Sequence, residues 1–470
     1  MHGFEESGPA KLDDPSDRRP WYMLLTKYHW FVLVVAALGW LFDTMDQQLF
    51  VLARSPAMRE LLQAAPGDQR VDYYGNLATA IFLIGWATGG IGFGVLGDRI
   101  GRARTMVLTI LAYSLFTGLS ALSVGFWDFA FYRFLTGLGV GGEFAVGVAL
   151  VAEVMPDRAR PFALGMLQAL SALGNITAAL INMFLGHLES QKVFQDLYIG
   201  GYGPVSAWRI MFVIGVIPAL LAIVIRRRLK EPERWTAAAG EGTARQLGSY
   251  QELFGDARWR RHALLGLLLA FSGVVGLWGI GFCFPELLRT VFRQSFEAKG
   301  LSPNEVEGKL KIWTGITSLM INGGAFFGIY AFSRITHFTG RKPAFAMAFL
   351  AALGSTALVF WFLDDFGDIF WMIPLMGFCQ LSLFGGYAIY FPELFPTRLR
   401  STGISFCYNV GRLVAATGPF TFGILIVKVY GGYAAPLPHR YAGLTMCSIF
   451  LLGLVALPFL PETKGRPLPE

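Results

Sequence analysis

Long apolar runs separated by short polar segments fill this chain from Trp30 to Leu460. Each run holds about 20 residues, the length that an α-helix needs to cross the hydrocarbon core of a bilayer. The pattern therefore predicts an all-α membrane protein with twelve transmembrane helices. The predicted spans are Trp30–Ala53, Gly75–Leu96, Thr105–Val124, Trp127–Val151, Phe162–His187, Trp208–Ile225, His262–Leu288, Ile312–Phe332, Pro343–Leu363, Ile369–Tyr390, Thr402–Val429 and Tyr441–Leu460.

A repeated motif divides the twelve spans into two sets of six. The pattern E-x-x-P-x-R-x-R follows span 4 at Glu153–Arg160 and recurs after span 10 at Glu393–Arg400. We therefore predict two pseudo-symmetric six-helix halves with a solute site where they meet near mid-membrane. The predicted organisation is a cytoplasmic N-terminal tail (1–28), a first half (29–228), a cytoplasmic central loop (229–261), a second half (262–461) and a cytoplasmic C-terminal tail (462–470).

Composition agrees with a membrane protein, because 54% of the residues are hydrophobic and only 15% are charged. The formal charge of +7 does not indicate nucleic acid binding, since positive charge in multi-pass membrane proteins collects in cytoplasmic loops. Basic clusters such as Arg226–Arg228 place both termini in the cytoplasm, in a plasma (inner) membrane protein. The four cysteines lie inside apolar runs without paired spacing, so no disulfide framework or metal site is expected.

The connector between spans 2 and 3 is short and charged, and reads GVLGDRIGRAR from Gly94 to Arg104. Its glycines allow close approach of two spans that must form an antiparallel hairpin. Two interpretations stay open: a cytoplasmic latch that holds one conformation and releases in another, or arginines that only enforce the positive-inside bias. The latch would comprise Gly94, Gly97, Asp98, Arg99, Gly101, Arg102, Glu153, Arg158, Arg160, Arg334, Arg341, Glu393, Arg398 and Arg400.

These segments carry a family resemblance. The connector resembles the loop 2–3 signature of the major facilitator superfamily, and Pro461–Gly465 (PETKG) resembles a motif of its sugar-porter-like and organic-acid symporter branches. Phe42–Asp46 (FDTMD) is similar to the D-x-x-D of proton symporters for carboxylates, and Arg133–Gly147 is similar to a motif of metabolite–proton symporters. The resemblance implies a proton-coupled organic-acid symporter that works by alternating access. A sugar or polyol porter is the alternative, although the usual features of spans 7 and 10 are missing.

Ionisable residues inside spans are costly and are candidates for function. Asp43 and Asp46 are three residues apart and share one helix face, so their mutual repulsion favours protonation of one of them. Arg133 in span 4 should lie at a similar depth, which makes an Asp–Arg contact feasible, either for proton coupling or as a structural ion pair. Glu143 is either a second proton site or a packing and hinge residue.

Polar residues at mid-depth in other spans predict a cavity for a small solute. Arg412 could take a carboxylate through two hydrogen bonds, or it could pair with a neighbouring helix. The amides could supply further contacts, although each alone is more often an interhelical hydrogen bond. The predicted substrate-binding residues are Gln168, Asn175, Asn322, Gln380, Asn409 and Arg412.

Several other functions are disfavoured. The G-x-G-x-x-G at Gly137–Gly142 lies inside an apolar span rather than after a strand, so it indicates close helix packing and no nucleotide. An enzyme is disfavoured because the sequence contains no recognisable catalytic cluster. A nutrient sensor is disfavoured because it would usually need a large soluble tail. No cofactor is expected. The expected partners are a small solute, a proton and the bilayer, with the chain acting as a monomer and without nucleic acid.

Overall fold

The computed structural model describes residues 19–65, 68–191, 193–194, 198–199, 203–240, 247–280, 284–364, 366–415, 417–434 and 436–470. Part of the predicted N-terminal tail, part of the central loop and Cys283 therefore lie outside the described residues. Up to residue 255 the helices are α1 (Lys27–Leu61), α2 (Gln69–Ile100), α3 (Arg102–Ser120), α4 (Phe126–Val154), α5 (Arg160–Ser190), α6 (Ala207–Ile214), α7 (Ala219–Arg228), α8 (Glu233–Gly240) and α9 (Tyr250–Gly255).

The remaining helices are also mostly long and apolar. They are α10 (Ala257–Val275), α11 (Phe284–Ala298), α12 (Pro303–Thr339), α13 (Arg341–Phe362), α14 (Ile369–Leu394), α15 (Arg400–Ala415), α16 (Gly418–Ile424), α17 (Leu437–Cys447) and α18 (Ile449–Ala456). Short 3₁₀ segments lie at Trp21–Leu24, Thr397–Leu399 and Leu457–Phe459, and β1 (Tyr198–Ile199) pairs antiparallel with β2 (Gly203–Pro204).

Ten helical segments within the described residues are long and apolar enough to cross a membrane. They correspond to predicted spans 1–6, 8–10 and 12, and the all-helical prediction is confirmed. Predicted spans 7 and 11 include residues 281–283 and 416, which lie outside the described residues. In their described parts, π-helical turns follow at Gly276–Ile280 after α10 and at Leu425–Val429 after α16. Such turns are frequent at functional positions in helices.

Helix α1 runs further than its apolar pattern predicts, to Leu61 rather than to about Ala53. It passes through Pro56, which usually ends a helix. Ala57 and Met58, just beyond the proline, are completely buried. Burial of this eight-residue extension therefore outweighs the hydrogen bond that the proline removes, an effect that a local pattern does not reveal.

The structure divides into two compact units. Unit 1 comprises residues 1–260, 391–409 and 465–470, and unit 2 comprises 261–390 and 410–464. In unit 1, α4 is buried along most of its length and packs against α2 and α3. The division into two six-helix halves with the boundaries given above stays a prediction.

Each unit contains the same kind of close helix contact. In unit 1, a Cβ atom added to Gly89 of α2 would collide with the carbonyl oxygen of Leu138. In unit 2, a Cβ atom added to Gly328 of α12 would collide with the carbonyl oxygen of Phe378. Gly137 of α4 likewise meets the backbone of α2, which confirms close helix packing as the role of its glycine motif.

Candidate functional site

A buried charge cluster lies inside unit 1, where α1 meets α4. Asp46 and Arg133 are both 0% exposed, and Asp46 Oδ2 lies 3.8 Å from Arg133 Nη1. Arg133 donates its shorter bonds elsewhere, from Nε and Nη2 to Ser120 Oγ at 3.0 and 2.8 Å and from Nη2 to Thr136 Oγ1 at 3.0 Å. The guanidinium also lies over the ring of Phe212 at 4.6 Å. Neutral hydroxyl groups thus hold the arginine in place, and Asp46 is its more distant, charged partner.

Two more buried carboxyls lie on the same two helices, Asp43 on α1 and Glu143 on α4. Asp43 is also 0% exposed and accepts a hydrogen bond from Gln47 Nε2 at 3.3 Å. Glu143 is 1% exposed, and its Oε2 accepts from Thr109 Oγ1 at 2.5 Å. Its Oε1 faces Gly39 of α1 and makes no hydrogen bond within the described residues. Since an unpaired buried charge is very costly, Glu143 is suited to hold a proton.

The predicted substrate-binding residues divide between the units. In unit 1, Gln168 and Asn175 lie on α5, with Gln168 buried and Asn175 half-buried, and Asn409 Nδ2 donates to Gly141 O at 3.2 Å. In unit 2, Asn322 donates to Ser318 O in its own helix, Gln380 Nε2 donates to Thr356 Oγ1 at 2.6 Å, and Arg412 is 6% exposed. Their role in binding stays a prediction.

The predicted latch residue Asp98 caps the start of α15. Its carboxylate accepts from Ser401 N at 3.1 Å, from Thr402 N at 2.8 Å and from Thr402 Oγ1 at 2.6 Å. A carboxylate at a helix N-terminus satisfies unpaired backbone N–H groups and interacts favourably with the helix dipole. The close approach also depends on Gly97, because an added Cβ atom there would lie 2.7 Å from Ser401 Oγ.

Glu153 joins two buried arginines beside Asp98. Arg102 Nη2 lies 2.8 Å from Glu153 Oε1 and 3.1 Å from Asp98 Oδ1. Arg400 Nη1 lies 2.7 Å from the same oxygen of Glu153. All four side chains are at most 7% exposed, and their charges balance. Arg102 also donates to Thr397 O at 2.7 Å, so this network fixes the turn before α15.

The other predicted latch residues have more varied surroundings. Gly94 lies against Ser405, Gly101 adopts a φ of 109°, Arg99 donates to Leu247 O, Arg160 donates to Ala152 O, and Arg398 pairs with Glu252 at 2.6 Å. Arg341 donates to Thr336 O, Glu393 is buried, and Arg158 and Arg334 are half-buried and exposed, respectively.

The structure reveals contributors that the sequence analysis missed. On α3, Thr109 and Ser120 hold Glu143 and Arg133, and their spacing along one helix face is a signal that could have been noticed. In the central loop, Trp235 Nε1 donates to Asp98 O at 2.7 Å, which brings α8 against the latch. Near the other ends of the spans, Glu60 accepts from Trp208 Nε1 at 2.6 Å and from Arg209 Nε at 2.9 Å. No local pattern singled out Trp235, Glu60, Trp208 or Arg209.

Comparison with known proteins identifies the family. The profile of the Major Facilitator Superfamily matches residues 36–419. The chain belongs to the Major Facilitator Superfamily. It is therefore a secondary transporter, a multi-pass integral membrane protein and not an enzyme.

Relatives and solved structures agree with this assignment. The chain is 30% identical to a putative metabolite transport protein of Haemophilus influenzae, over 94% of this chain and 99% of that protein. It is 30% identical to the cis,cis-muconate transport protein of Acinetobacter baylyi, over 82% and 84%. A structure of the proton:xylose symporter XylE matches with a TM-score of 0.69 at 17% identity, over 94% of this chain and 98% of that chain, a likeness that shows the fold alone.

Proposed function

We propose that this superfamily member imports a small carboxylated metabolite together with a proton. In this proposal the protein lies in the inner membrane, with both termini in the cytoplasm. The observation that carries the proposal is the fully buried cluster of Asp43, Asp46 and Arg133 inside the spans of unit 1. Ionisable groups in such positions are costly, and they are therefore functional candidates by default.

The contacts of Arg133 favour a titrating partner over a fixed ion pair. Its short hydrogen bonds go to Ser120 and Thr136, while Asp46 stands 3.8 Å away. When Asp46 takes up a proton, the ion pair is lost, but the guanidinium of Arg133 keeps its hydrogen bonds to Ser120 and Thr136. The pair can therefore switch between charged and neutral aspartate at a lower cost than a tightly bonded one.

Two observations support a carboxylated solute. The relative from Acinetobacter baylyi is named for the transport of cis,cis-muconate, which is a dicarboxylate. Its alignment covers 82% of this chain at 30% identity. In unit 2, the predicted solute ligand Arg412 is almost fully buried on α15, and a guanidinium can bind a carboxylate through two parallel hydrogen bonds. Import by alternating access would then bring the anion and the proton inward together.

The test is proton movement into proteoliposomes that enclose a pH dye. Wild type should acidify the interior on addition of a carboxylate from a panel of cis,cis-muconate, benzoate and succinate, and not on addition of neutral sugars. Asp46→Asn should reduce the acidification about tenfold or more, because the amide cannot carry the proton. Exchange of labelled carboxylate without a pH gradient should persist.

The control is Glu297→Gln, which changes an exposed carboxylate on α11 and should leave both signals unchanged. If wild type gives no proton signal while labelled sugar equilibrates across the membrane, the proposal is wrong and the chain is a facilitative sugar or polyol porter.

A further inference from the structure

The carboxyl group of Glu143 lies deep in unit 1, where α4 meets α1 and α3. The side chain is 1% exposed. Its Oε2 lies 2.5 Å from Thr109 Oγ1 on α3. Its Oε1 faces Gly39 on α1 so closely that a Cβ atom added to the glycine would collide with it. Three helices therefore enclose the group, and its contact with α1 depends on a glycine.

No cation in the described part of the chain pairs with this carboxyl group. Glu143 forms no ion pair there, and no donor reaches its Oε1. Arg133 on the same helix is ten residues away, or about 15 Å along the axis, and lies beside Asp46. The titratable residues one turn beyond the contacts on α1 and α3 are Asp43 and Tyr113, and neither is a cation. An unpaired buried carboxylate is so costly that such a group takes up a proton instead.

The hydrogen bonds of Thr109 agree with a protonated glutamate. Thr109 Oγ1 lies 2.5 Å from Glu143 Oε2 and 2.9 Å from Met106 O. A threonine hydroxyl group has one proton, so it can donate fully to only one of these oxygens. If Glu143 is protonated, its hydroxyl group donates to Thr109, and Thr109 donates to Met106 O. Both contacts are then hydrogen bonds, and Oε1 is an uncharged carbonyl oxygen.

An ionised Glu143 would fit the same surroundings less well. Thr109 would then donate to Oε2, and Oε1 would share the negative charge beside Gly39 without a donor among the described residues. Buried polar atoms are nearly always hydrogen-bonded, and charged ones lose most when they are not. The neutral acid leaves only a carbonyl oxygen unpaired, which costs far less than an unpaired charge.

We propose that Glu143 keeps one proton throughout the transport cycle and acts as a positioning residue. As a neutral acid it joins α4 to α3 through Thr109 and lets α1 pack against it at Gly39. The proposal rests on the proposed proton coupling, because it assigns the transported proton to Asp46 and excludes Glu143 as a second coupling site.

The surroundings of Asp46 differ in the way that this assignment requires. Arg133 lies 3.8 Å from Asp46, so a cation is in place to balance the carboxylate when the proton leaves. Glu143 has no such partner within the described residues. Loss of its proton would require water or a cation to enter between α1, α3 and α4, which pack together. The resident proton therefore keeps this part of unit 1 closed while Asp46 titrates.

The first test is the infrared spectrum of the full-length protein in lipid membranes near neutral pH, where an ordinary glutamate is ionised. The carbonyl stretch of a protonated carboxyl group is separate from the bands of carboxylates and amides. Subtraction of the Glu143→Gln spectrum from that of wild type should leave this band, and raising the pH by about one unit should not remove it. Absence of the band would show that Glu143 is ionised and that the proposal is wrong.

Variants of Thr109 assign the band and test the hydrogen bond. Thr109→Val removes the oxygen that accepts from Glu143, so the band should move to higher frequency. Thr109→Ser keeps the oxygen and should retain the wild-type frequency. Both variants leave Glu143 itself unchanged, so they apply even if Glu143→Gln does not fold. An identical band in all three proteins would contradict the positioning role, because Glu143 would then not donate to Thr109.

The second test separates a resident proton from a transported one. Proteoliposomes with an internal pH dye report acidification for the carboxylate that wild type transports, beginning with cis,cis-muconate, and labelled carboxylate reports exchange at equal pH. Glu143→Gln keeps a donor for Thr109 in its amide group, so it should acidify within about twofold of wild type and with the same pH profile. Glu143→Leu removes the donor, and both rates should fall together. Asp46→Asn should lower acidification about tenfold or more and keep exchange.

The outcomes are distinguishable. Glu297→Gln, at an exposed position on α11, is the matched control and should equal wild type in both tests. If Glu143→Gln loses acidification but keeps exchange, Glu143 carries the transported proton and the proposal is wrong. If wild type moves no protons, the proposed function fails, and the infrared band still decides whether Glu143 holds a resident proton.

Discussion

Two glycines of α2 differ in whether an added methyl group would fit. A Cβ atom added to Gly89 would lie 2.5 Å from the carbonyl carbon of Leu138 in α4, whereas an added Cβ atom at Gly92 would meet nothing within 4 Å. Helix packing in membranes depends on such close backbone approach, since lipid gives no hydrophobic drive between helices. The contact between α2 and α4 is therefore sensitive to single atoms.

We expect Gly89→Ala to destabilise the protein by about 1–3 kcal/mol, because the added methyl group overpacks the contact. Gly92→Ala should be neutral or slightly stabilising, because alanine favours helices over glycine. The measurement is the melting temperature of the two purified variants in detergent. Equal melting temperatures would show that α4 can shift away from α2 without cost.

Single charged residues were predictable from the sequence, and single hydroxyls were not. Asp46 and Arg133 stand out because a charged residue inside an apolar run is costly, and their similar depth made a contact feasible. Thr109 belongs to a residue type that is common in spans and usually bonds to its own helix. Only the packing of α3 against α4 shows that its hydroxyl meets Glu143.

At the scale of elements, two glutamates cap two helices in the same way. Glu231 accepts from the backbone N–H groups of Ala103 and Arg104 at the start of α3, both at 3.1 Å. Glu462 accepts from Arg341 N at 2.9 Å and from Lys342 N at 3.0 Å at the start of α13. The sequence analysis singled out Pro461–Gly465, which contains Glu462, but not the contacts of either glutamate.

The glycine before each capped helix makes the approach possible. Gly101 and Gly340 have φ angles of 109° and 96°, which residues other than glycine rarely adopt. An added Cβ atom on Gly340 would also lie 3.0 Å from Glu462 Oε2. The short connectors therefore place two bare helix N-termini where a glutamate from a later segment can reach them.

Glu462 should give the stability a dependence on acid pH. Burial alone would raise its pKa, but the backbone N–H groups of Arg341, Lys342, Lys464 and Thr463 lower the pKa below its ordinary value of 4.5. A lowered pKa in the folded state means that the carboxylate stabilises the protein above 4.5 and that this contribution is lost as the pH falls through the folded-state value.

We therefore expect Glu462→Gln to melt at a lower temperature than wild type near neutral pH. The difference should shrink as the pH falls below 4.5. Melting temperatures across this range, with Glu297→Gln as the control at an exposed position, provide the check. A difference that does not change with pH would mean that the cap acts through shape and not through charge.

The approximate positions of the helices could be predicted, but their local irregularities could not. Apolar length predicts a span, and ten of the predicted spans are long helices within the described residues. The π-helical turn at Gly276–Ile280 and the proline-containing end of α1 depend on tertiary packing, which the local pattern does not contain.

At the scale of the whole molecule, the network around Asp98 predicts that transport requires α2 to separate from the start of α15. The latch contacts join α2 to the start of α15 through Asp98, Arg102, Glu153 and Arg400. If they hold one conformation of the transport cycle, fixing them covalently should stop the cycle.

We expect the double variant Gly97→Cys/Ser401→Cys, on a background without the four natural cysteines, to lose transport on oxidation and regain it on reduction. A Cβ atom at position 97 would lie 3.3 Å from Ser401 Cβ, close to the spacing of a disulfide. Each single variant is the control. Undiminished carboxylate uptake by the fully cross-linked protein would show that these contacts never open.

The motif repeat also shows which features its two copies do not share. Glu153 and Glu393 set the two copies 240 positions apart (393 − 153), so Arg133 corresponds to Ile373 and Glu143 to Leu383. Both counterparts are buried and apolar. The two copies of the motif thus come with equivalent glycine contacts and glutamate caps, while only the first has Arg133 and Glu143 at these positions. If the proposed proton coupling depends on these two groups, we expect mutations beside Ile373 and Leu383 to alter solute choice and to leave the coupling unchanged.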